Sequence, residues 1–350
     1  MKVHYKDDAN EVYCIENSLS AIPILLKLNQ KWSFDSITEL SQLSSLIQNN
    51  MQNIEQLATA AFSDSEKNFD IWNDIQKLLY IWNLKDLFKE NNQELNTAFL
   101  LLLRNKIIEI EKKFSSVHKL NSFDNFTPQM AIKELYEKAN EHRINNHPLL
   151  TYMEKNGLNL NAVKIFLENY YVNNRVFHLF VAQQSLFTPM EMRVELYKNL
   201  FDELGTGDHD MAHPILFLKN FDTIGHLKQI QPLPETLFLF NTKYYSIVLS
   251  GDYHYGTGGL GFIEVAMPCQ MMMILAGLRK SQIPEKDLEF WRVHITIDQE
   301  HGKAWFNEME ELIHTPEHAQ ACLNGGLNLL EARAKMYDGI WKQITSNNFV

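Results

Sequence analysis

The chain has 350 residues, 45% of them hydrophobic, enough to bury a sizeable core in two domains or in one large domain with an extension. Its 32 basic and 43 acidic residues leave a net charge of −11, which weighs against nucleic acid and anionic membrane as partners. Three cysteines, Cys14, Cys269 and Cys322, are odd in number and widely spaced, so neither a disulfide framework nor a cysteine zinc site is indicated.

The first stretch, MKVHYKDDANEVYC, lacks the apolar centre of a signal peptide, and the densest apolar runs, 98–103 and 271–276, are too short to span a bilayer. The expected setting is the cytoplasm. All fourteen glycines lie at or after Gly157, and no proline occurs between Pro23 and Pro128. Residues 24–127 can therefore form long helices without an internal breaker. Leu40, Leu43, Ile47, Met51 and Ile54 recur at helical spacing, as do Ile71, Ile75, Leu78, Leu79, Ile81 and Trp82. Breaks are expected near 32–34, 63–67, 91–92 and 115–126. Residues 1–125 read as an all-helical accessory region with no motif that carries chemistry. It can pack on the second half or on another subunit, so a homodimer stays open beside a monomer.

A domain boundary is expected at 122–127, with residues 126–350 as the second domain. A short helix over 129–143 precedes a stop at Asn156-Gly157. One long amphipathic helix then carries Val163, Phe166, Leu167, Tyr170, Tyr171, Asn174, Phe177 and Val181 on a face and ends near Phe187. Thr188-Pro189-Met190-Glu191 has the pattern of a capping box with proline at the first helical position. That helix runs to a disturbed stretch at 205–210. Helices over 235–249 and 262–278 follow, the latter kinked at Pro268. Pro284 opens the helix that carries residues 290–306, and helices over 318–336 and 337–345 close the chain. Strand-type alternation is almost absent.

The chemistry concentrates in FWRVHITIDQEHGKAWF, residues 290–306. His294, Asp298 and His301 stand at offsets of four and seven, which a helix brings onto one stripe. Two imidazoles and a carboxylate suit a transition metal. The plainer reading is a hydrogen-bonded polar cluster. Glu264 is the only charged residue between Tyr255 and Arg279, so it is paired with an Arg or Tyr, protonated, or bound to a cation. Glu203 and His213 would lie about 80° apart on a regular helix. Gly205 and Gly207 permit an irregularity that could close the angle; otherwise Glu203 is a surface acid and His213 a core histidine. His209, flanked by Asp208 and Asp210, reads as solvated, as do His314 and His318 beside a helix break. Residues 256–261 spell G-x-G-x-x-G, but they follow a predicted helix with no parallel sheet, which argues for close packing over nucleotide binding. Cys269 sits in an apolar helix, where a thiol is a poor nucleophile.

Taken together, these residues resemble the heme-oxygenase-like diiron oxidases, the iron-containing redox enzymes, which are similar in fold to thiaminase II and pyrroloquinoline-quinone synthase. The resemblance covers about 130–315. It rests on His147-Pro148-Leu149-Leu150 with Gly157, on the run from Asn199 to Gly205 with His213, on the lone Glu264, and on His294, Asp298 and His301. It implies an all-α, heme-oxygenase-like helical bundle with an N-terminal all-helical extension. It also implies two Fe(II) ions per chain, with Mn(II) as the alternative. The implied ligands are Glu203, His213, Glu264, His294, Asp298 and His301, with the histidines terminal and the carboxylates bridging or chelating. The implied activity is O2-dependent oxidation of a small organic substrate: fatty-acid-like, amino-acid-derived or an aromatic amine. Some members carry a further carboxylate on the first long helix; here only Glu168 is offered, with Gln183 and Gln184 as other polar groups. Tyr170, Tyr171 and Gln183 are candidates for orienting the imidazoles. Competing readings are thiaminase-like chemistry, heme bound by His178, and a non-enzymatic interaction or effector protein with a vestigial metal site.

Overall fold

The computed structural model describes residues 40–88, 94–114, 120, 126–225, 230–347 and 349; the side chains at 40–43, 46, 94–100, 298 and 299 lie outside the description. Two units are distinct, Met1–Ser116 and Val117–Val350. Every regular element among the described residues is helical.

In the first unit, α1 (Leu40–Ser63), α2 (Phe69–Leu87) and α3 (Glu94–Phe114) follow one another. Ile54, Ala58 and Ala61 of α1, Ile75, Leu78 and Ile81 of α2, and Leu103 and Ile107 of α3 are buried, at the three- and four-residue spacing that lines one helix face. The break expected over 63–67 is present. Asn68 Nδ2 donates to Ala60 O at 2.9 Å and closes it. Arg104 joins α3 to α2, donating to Asn83 Oδ1 at 3.1 Å and lying 3.5 Å from Asp86. The breaks expected at 32–34 and 91–92, and the boundary expected at 122–127, fall outside the described residues or at their edge.

The second unit begins with α4 (Pro128–Glu141), capped by Thr127 Oγ1, which accepts from Met130 N at 3.2 Å. Then come α5 (Pro148–Asn156), α6 (Leu160–Asn174), α7 (Phe177–Phe187), α8 (Met190–Glu203), α9 (His213–Leu218), α10 (Phe221–Ile224) and α11 (Pro234–Tyr244), which runs into a π turn at Tyr245–Leu249. The last three are α12 (Tyr253–Lys280), α13 (Glu289–Leu312) and α14 (Pro316–Ser346). α5 stops at Gly157, as expected, in the left-handed region at φ 73°.

Several elements depart from the sequence reading. The single long helix expected to end near Phe187 is two, α6 and α7, broken at Arg175–Val176. The capping box does not form: Thr188 Oγ1 donates to Gln184 O at 2.7 Å, and α8 begins without a side-chain cap. Pro284 opens only a 3-10 turn, Glu285–Asp287, and α13 starts at Glu289. The two helices expected at the end are one, α14.

The largest departure is α12, which begins nine residues earlier than expected and includes the glycine-rich stretch. Asp252 Oδ1 caps it, accepting from His254 N at 2.9 Å. Each glycine weakens a helix by about 1 kcal/mol relative to alanine. Tertiary contact explains why they are there: a Cβ on Gly258 would stand 2.1 Å from Cys322 O, and one on Gly325 would stand 1.9 Å from Tyr255 O. The backbones of α12 and α14 touch along these positions. Gly258→Ala is therefore expected to destabilise the fold by about 3 kcal/mol, the upper end of ordinary overpacking, measured as a lowered urea midpoint; an unchanged midpoint would refute the close contact.

α12 also packs against α13 and α5 and forms the centre of this unit. By length and composition it could cross a bilayer, contrary to the sequence expectation, yet it is mostly buried within the protein. It carries Glu264 into the interior.

Candidate metal centre

Glu203 is the last residue of α8, and the chain does not continue as helix beyond it. Gly205, Thr206 and Gly207 take φ of 73°, 53° and 93°, and two 3-10 turns carry the backbone to α9, which opens at His213. This irregularity turns His213 back, so that its Nδ1 lies 3.1 Å from Glu203 Oε1. The 80° separation of a regular helix is thereby closed. Gly205 is required twice over, by its φ and because a Cβ there would stand 2.5 Å from Ala212 N. Gly205→Ala is expected to displace His213 and weaken metal binding about 10-fold or more, the scale seen when a ligand loses its support; metal titration of the purified variant checks it.

His294 approaches from α13. Its ring centroid is 4.2 Å from that of His213, and one ligand atom from each of Glu203, His213 and His294 lies within 4.8 Å of the others. All three residues are buried. Their protonation follows from their surroundings. Burial alone would raise the Glu203 carboxyl, but the charge of His213 beside it, with those of His294 and His178, outweighs it and brings the group down to about 2. Burial lowers His294 to about 3, helped by His213, so its imidazole is neutral. His294 Nδ1 donates to Phe290 O at 2.6 Å, which leaves the Nε2 lone pair for a metal. For His213, burial lowers the pKa but Glu203 raises it more. Its Nδ1 is close to Glu203 yet not aligned for a hydrogen bond, and it has no other partner. A buried imidazole nitrogen left without an aligned partner, beside a charged carboxylate and a second neutral imidazole, fits a divalent metal ion.

The other sequence-derived ligands stand one step back. Glu264 is buried and lines the same cavity as Glu203 and His294. Among the described residues no basic residue locks it; its Oε1 accepts from Asn199 Nδ2 at 3.3 Å. Burial pushes its carboxyl up, with Glu203 adding to the shift and His301 opposing it. His301 is also buried, but both ring nitrogens are engaged. Nδ1 meets Asn199 Nδ2, and Nε2 donates to Asp202 Oδ2 at 2.9 Å. The structure thus brings together Glu203, His213 and His294, places Glu264 beside them, and turns His301 toward α8. The side chain of Asp298 lies outside the described residues.

Asn199 and Asp202 were quoted in the sequence pattern without a role, and the structure shows them to be the groups that hold His301. Phe290 O, Asn199 and Asp202 orient the imidazoles. Tyr170 receives a hydrogen bond from Arg333. Glu168 is paired with Lys164 at 3.8 Å, not with the cluster. His178 on α7 is buried, its Nδ1 has no hydrogen-bond partner, and burial lowers its pKa against the pull of Glu203. The exposed His209 is solvated, as expected. His318 is not fully solvated: it stacks on His254 at 4.0 Å. Cys269 is exposed and Cys322 is buried, and neither lines the cavity.

Residues 164–334 match the model of a family described as iron-containing redox enzyme. The matched segment is similar to the iron-containing redox enzymes. The three clustered ligands all lie within the matched segment, as do Glu264 and His301. A CADD-like protein of unknown function from Nostoc punctiforme, known in two crystal structures, superposes at a TM-score of 0.53 with 14% identity, over 62% and 64% of this chain and 97% and 98% of its own. At that identity the likeness speaks for the fold alone. A domain of unknown function with a heme oxygenase-like fold, from Shewanella denitrificans, reaches a TM-score of 0.49 at 16% identity, over 63% of this chain and 93% of its own. No curated protein matches the chain. The all-α, heme-oxygenase-like bundle expected from the sequence is the fold of the second unit.

Proposed function

We propose that this protein is a non-heme iron oxidase or oxygenase that uses O2 to oxidise a small organic substrate in the cavity between α6, α11, α12 and α13. The observation that carries the reading is the buried group of Glu203, His213 and His294. Two imidazoles and one carboxylate with positions left open are the donor set that suits non-heme Fe(II), with Mn(II) next. By the family resemblance Glu264, Asp298 and His301 would serve a second ion, His301 by exchanging one of its bonds to Asn199 and Asp202 for the metal. Iron held there supplies the electrons for reduction of O2.

The chain's own residues supply the rest. Glu203 stays charged at neutral pH and offers a negative ligand. Phe290 O fixes the His294 ring. Ile263, Met267 and Met271 keep water from the cavity. The thiaminase-like alternative needs a reactive thiol near the site, and neither described cysteine provides one.

The test is anaerobic Fe(II) loading of the full chain, followed by mixing with O2 under optical and Mössbauer readout. The expected result is two irons per chain and O2 uptake faster than by free Fe(II). A protein that keeps no iron on a desalting column, or whose uptake equals that of free Fe(II), would refute the reading and favour an interaction protein.

A further inference from the structure

α8 buries one face and leaves a second, apolar face in solvent. The buried face holds Met192, Leu196 and Asn199 and carries Glu203 to the metal centre. On the outer face Met190, Val194, Tyr197, Phe201 and Leu204 recur at three- and four-residue spacing, which gathers them within about 40° of one line along the helix. Beyond the N-terminal end of that line, Leu186 and Phe187 close α7. All seven are between 45% and 66% exposed, and nothing in the second unit covers them.

Scattered apolar side chains are ordinary on a protein surface, but a continuous stripe is not. At about 200 Å² for a whole large side chain, the seven offer roughly 700 Å². The largest apolar patch of a typical monomer is about 300–600 Å², while each partner in a stable complex gives up about 800 Å². The stripe is closer to the second size. Its composition agrees, since no charged residue of α8 falls within it and Tyr, Phe and Met are the types enriched at such interfaces.

The occupant that fits is a second copy of the same surface. An apolar stripe is complementary to itself, as an interface around a two-fold axis must be. The charges beside it are complementary as well. Glu191 and Lys198 lie about 80–100° round from Met190, on one and the same flank. A two-fold axis perpendicular to α8 sets the two helices antiparallel and brings that flank against its own copy. With the axis crossing between Val194 and Glu195, Glu191 of each copy meets Lys198 of the other. Lys198 is exposed, and its bond to Glu195 at 3.1 Å leaves two of its donors free. The same register carries Phe201 and Leu204 toward the other copy's Leu186 and Phe187.

We propose that the protein forms a two-fold symmetric dimer through the outer face of α8, with the two helices antiparallel and Glu191 paired to Lys198 across the axis. The interface backs onto both candidate metal centres, because the inner face of each α8 holds Glu203. The inference does not depend on iron or on O2 chemistry.

Analytical ultracentrifugation of the metal-free full chain at micromolar concentration tests it. Wild type is expected to sediment as a dimer. Val194→Glu and Tyr197→Lys are each expected to weaken the dimer at least about 30-fold, since symmetry sets two like charges into one apolar core. Both sites are exposed, so helical circular dichroism should be retained. Glu191→Lys and Lys198→Glu alone should each weaken the dimer about 10-fold, and the two together should restore it. A wild type that stays monomeric would overturn the proposal, and so would one that binds zwitterionic lipid vesicles through Val194 in place of a second copy. A dimer unmoved by both substitutions in the stripe, or a double charge swap no stronger than the single ones, would overturn it too.

Discussion

His213→Ala is expected to weaken Fe(II) binding by at least about 100-fold, since removing a direct ligand should cost no less than the upper range for losing an outer support. The same substitution is expected to destabilise the metal-free protein. Glu203 is buried and charged, and His213 is the first group that holds it so. Without that partner a charged carboxylate stays in the interior, a loss on the order of 3–5 kcal/mol. Adding Glu203→Gln removes the stranded charge and should restore most of the stability while leaving metal binding lost. The pH dependence separates the two effects. The Glu203 carboxyl drops from 4.5 to about 2 on folding, so its contribution is present above 4.5 and is lost as pH falls toward 2. His213 moves upward from 6.5, so its contribution is full below 6.5 and fades as pH climbs past the raised value. The stability difference between wild type and His213→Ala should therefore be widest between about pH 4.5 and 6.5. Urea denaturation of both metal-free proteins across pH 4–9 measures it, and a difference that stays flat with pH would refute the ion pair.

That pair also marks how far local sequence reasoning reaches. The interval from Glu203 to His213 contains Gly205 and Gly207, so the turn that joins them was legible as a permitted irregularity. Its φ values then required it. The stripe of His294 and His301 was legible from helical spacing, but their different fates were not. What separates them is Asn199 and Asp202 on α8, nearly a hundred residues earlier in the chain, and no local pattern encodes a partner at that distance. The break between α6 and α7 carries no glycine or proline, so nothing local announced it. The glycines of α12 misled in the opposite sense. Their propensity argues against helix, and only the backbone of α14 lying against them explains why helix wins. Glu264 was found because it is the lone charge in an apolar helix. The same rule, applied one helix earlier, finds Lys243, the only charged residue between Glu235 and Asp252.

Lys243→Met is expected to raise the stability of the metal-free protein at pH 6 by about 1–4 kcal/mol, the range seen when buried charge is replaced by a well-packed apolar side chain. Most buried substitutions act in the other direction. The reason lies in the proton. An amine that falls from 10.5 in the unfolded chain to about 7 in the fold is protonated in both states at pH 6, and the folded state then carries the whole cost of an unpaired ammonium. A drop of that size corresponds to roughly 5 kcal/mol, which caps the gain. Between about pH 7 and 10.5 the unfolded chain binds a proton that the folded one does not, so wild-type stability rises with pH across that window. The advantage of the variant should shrink over the same interval and nearly vanish near its upper end. Urea denaturation at pH 6, 8 and 10 follows it, and a constant difference would mean that Lys243 is not desolvated.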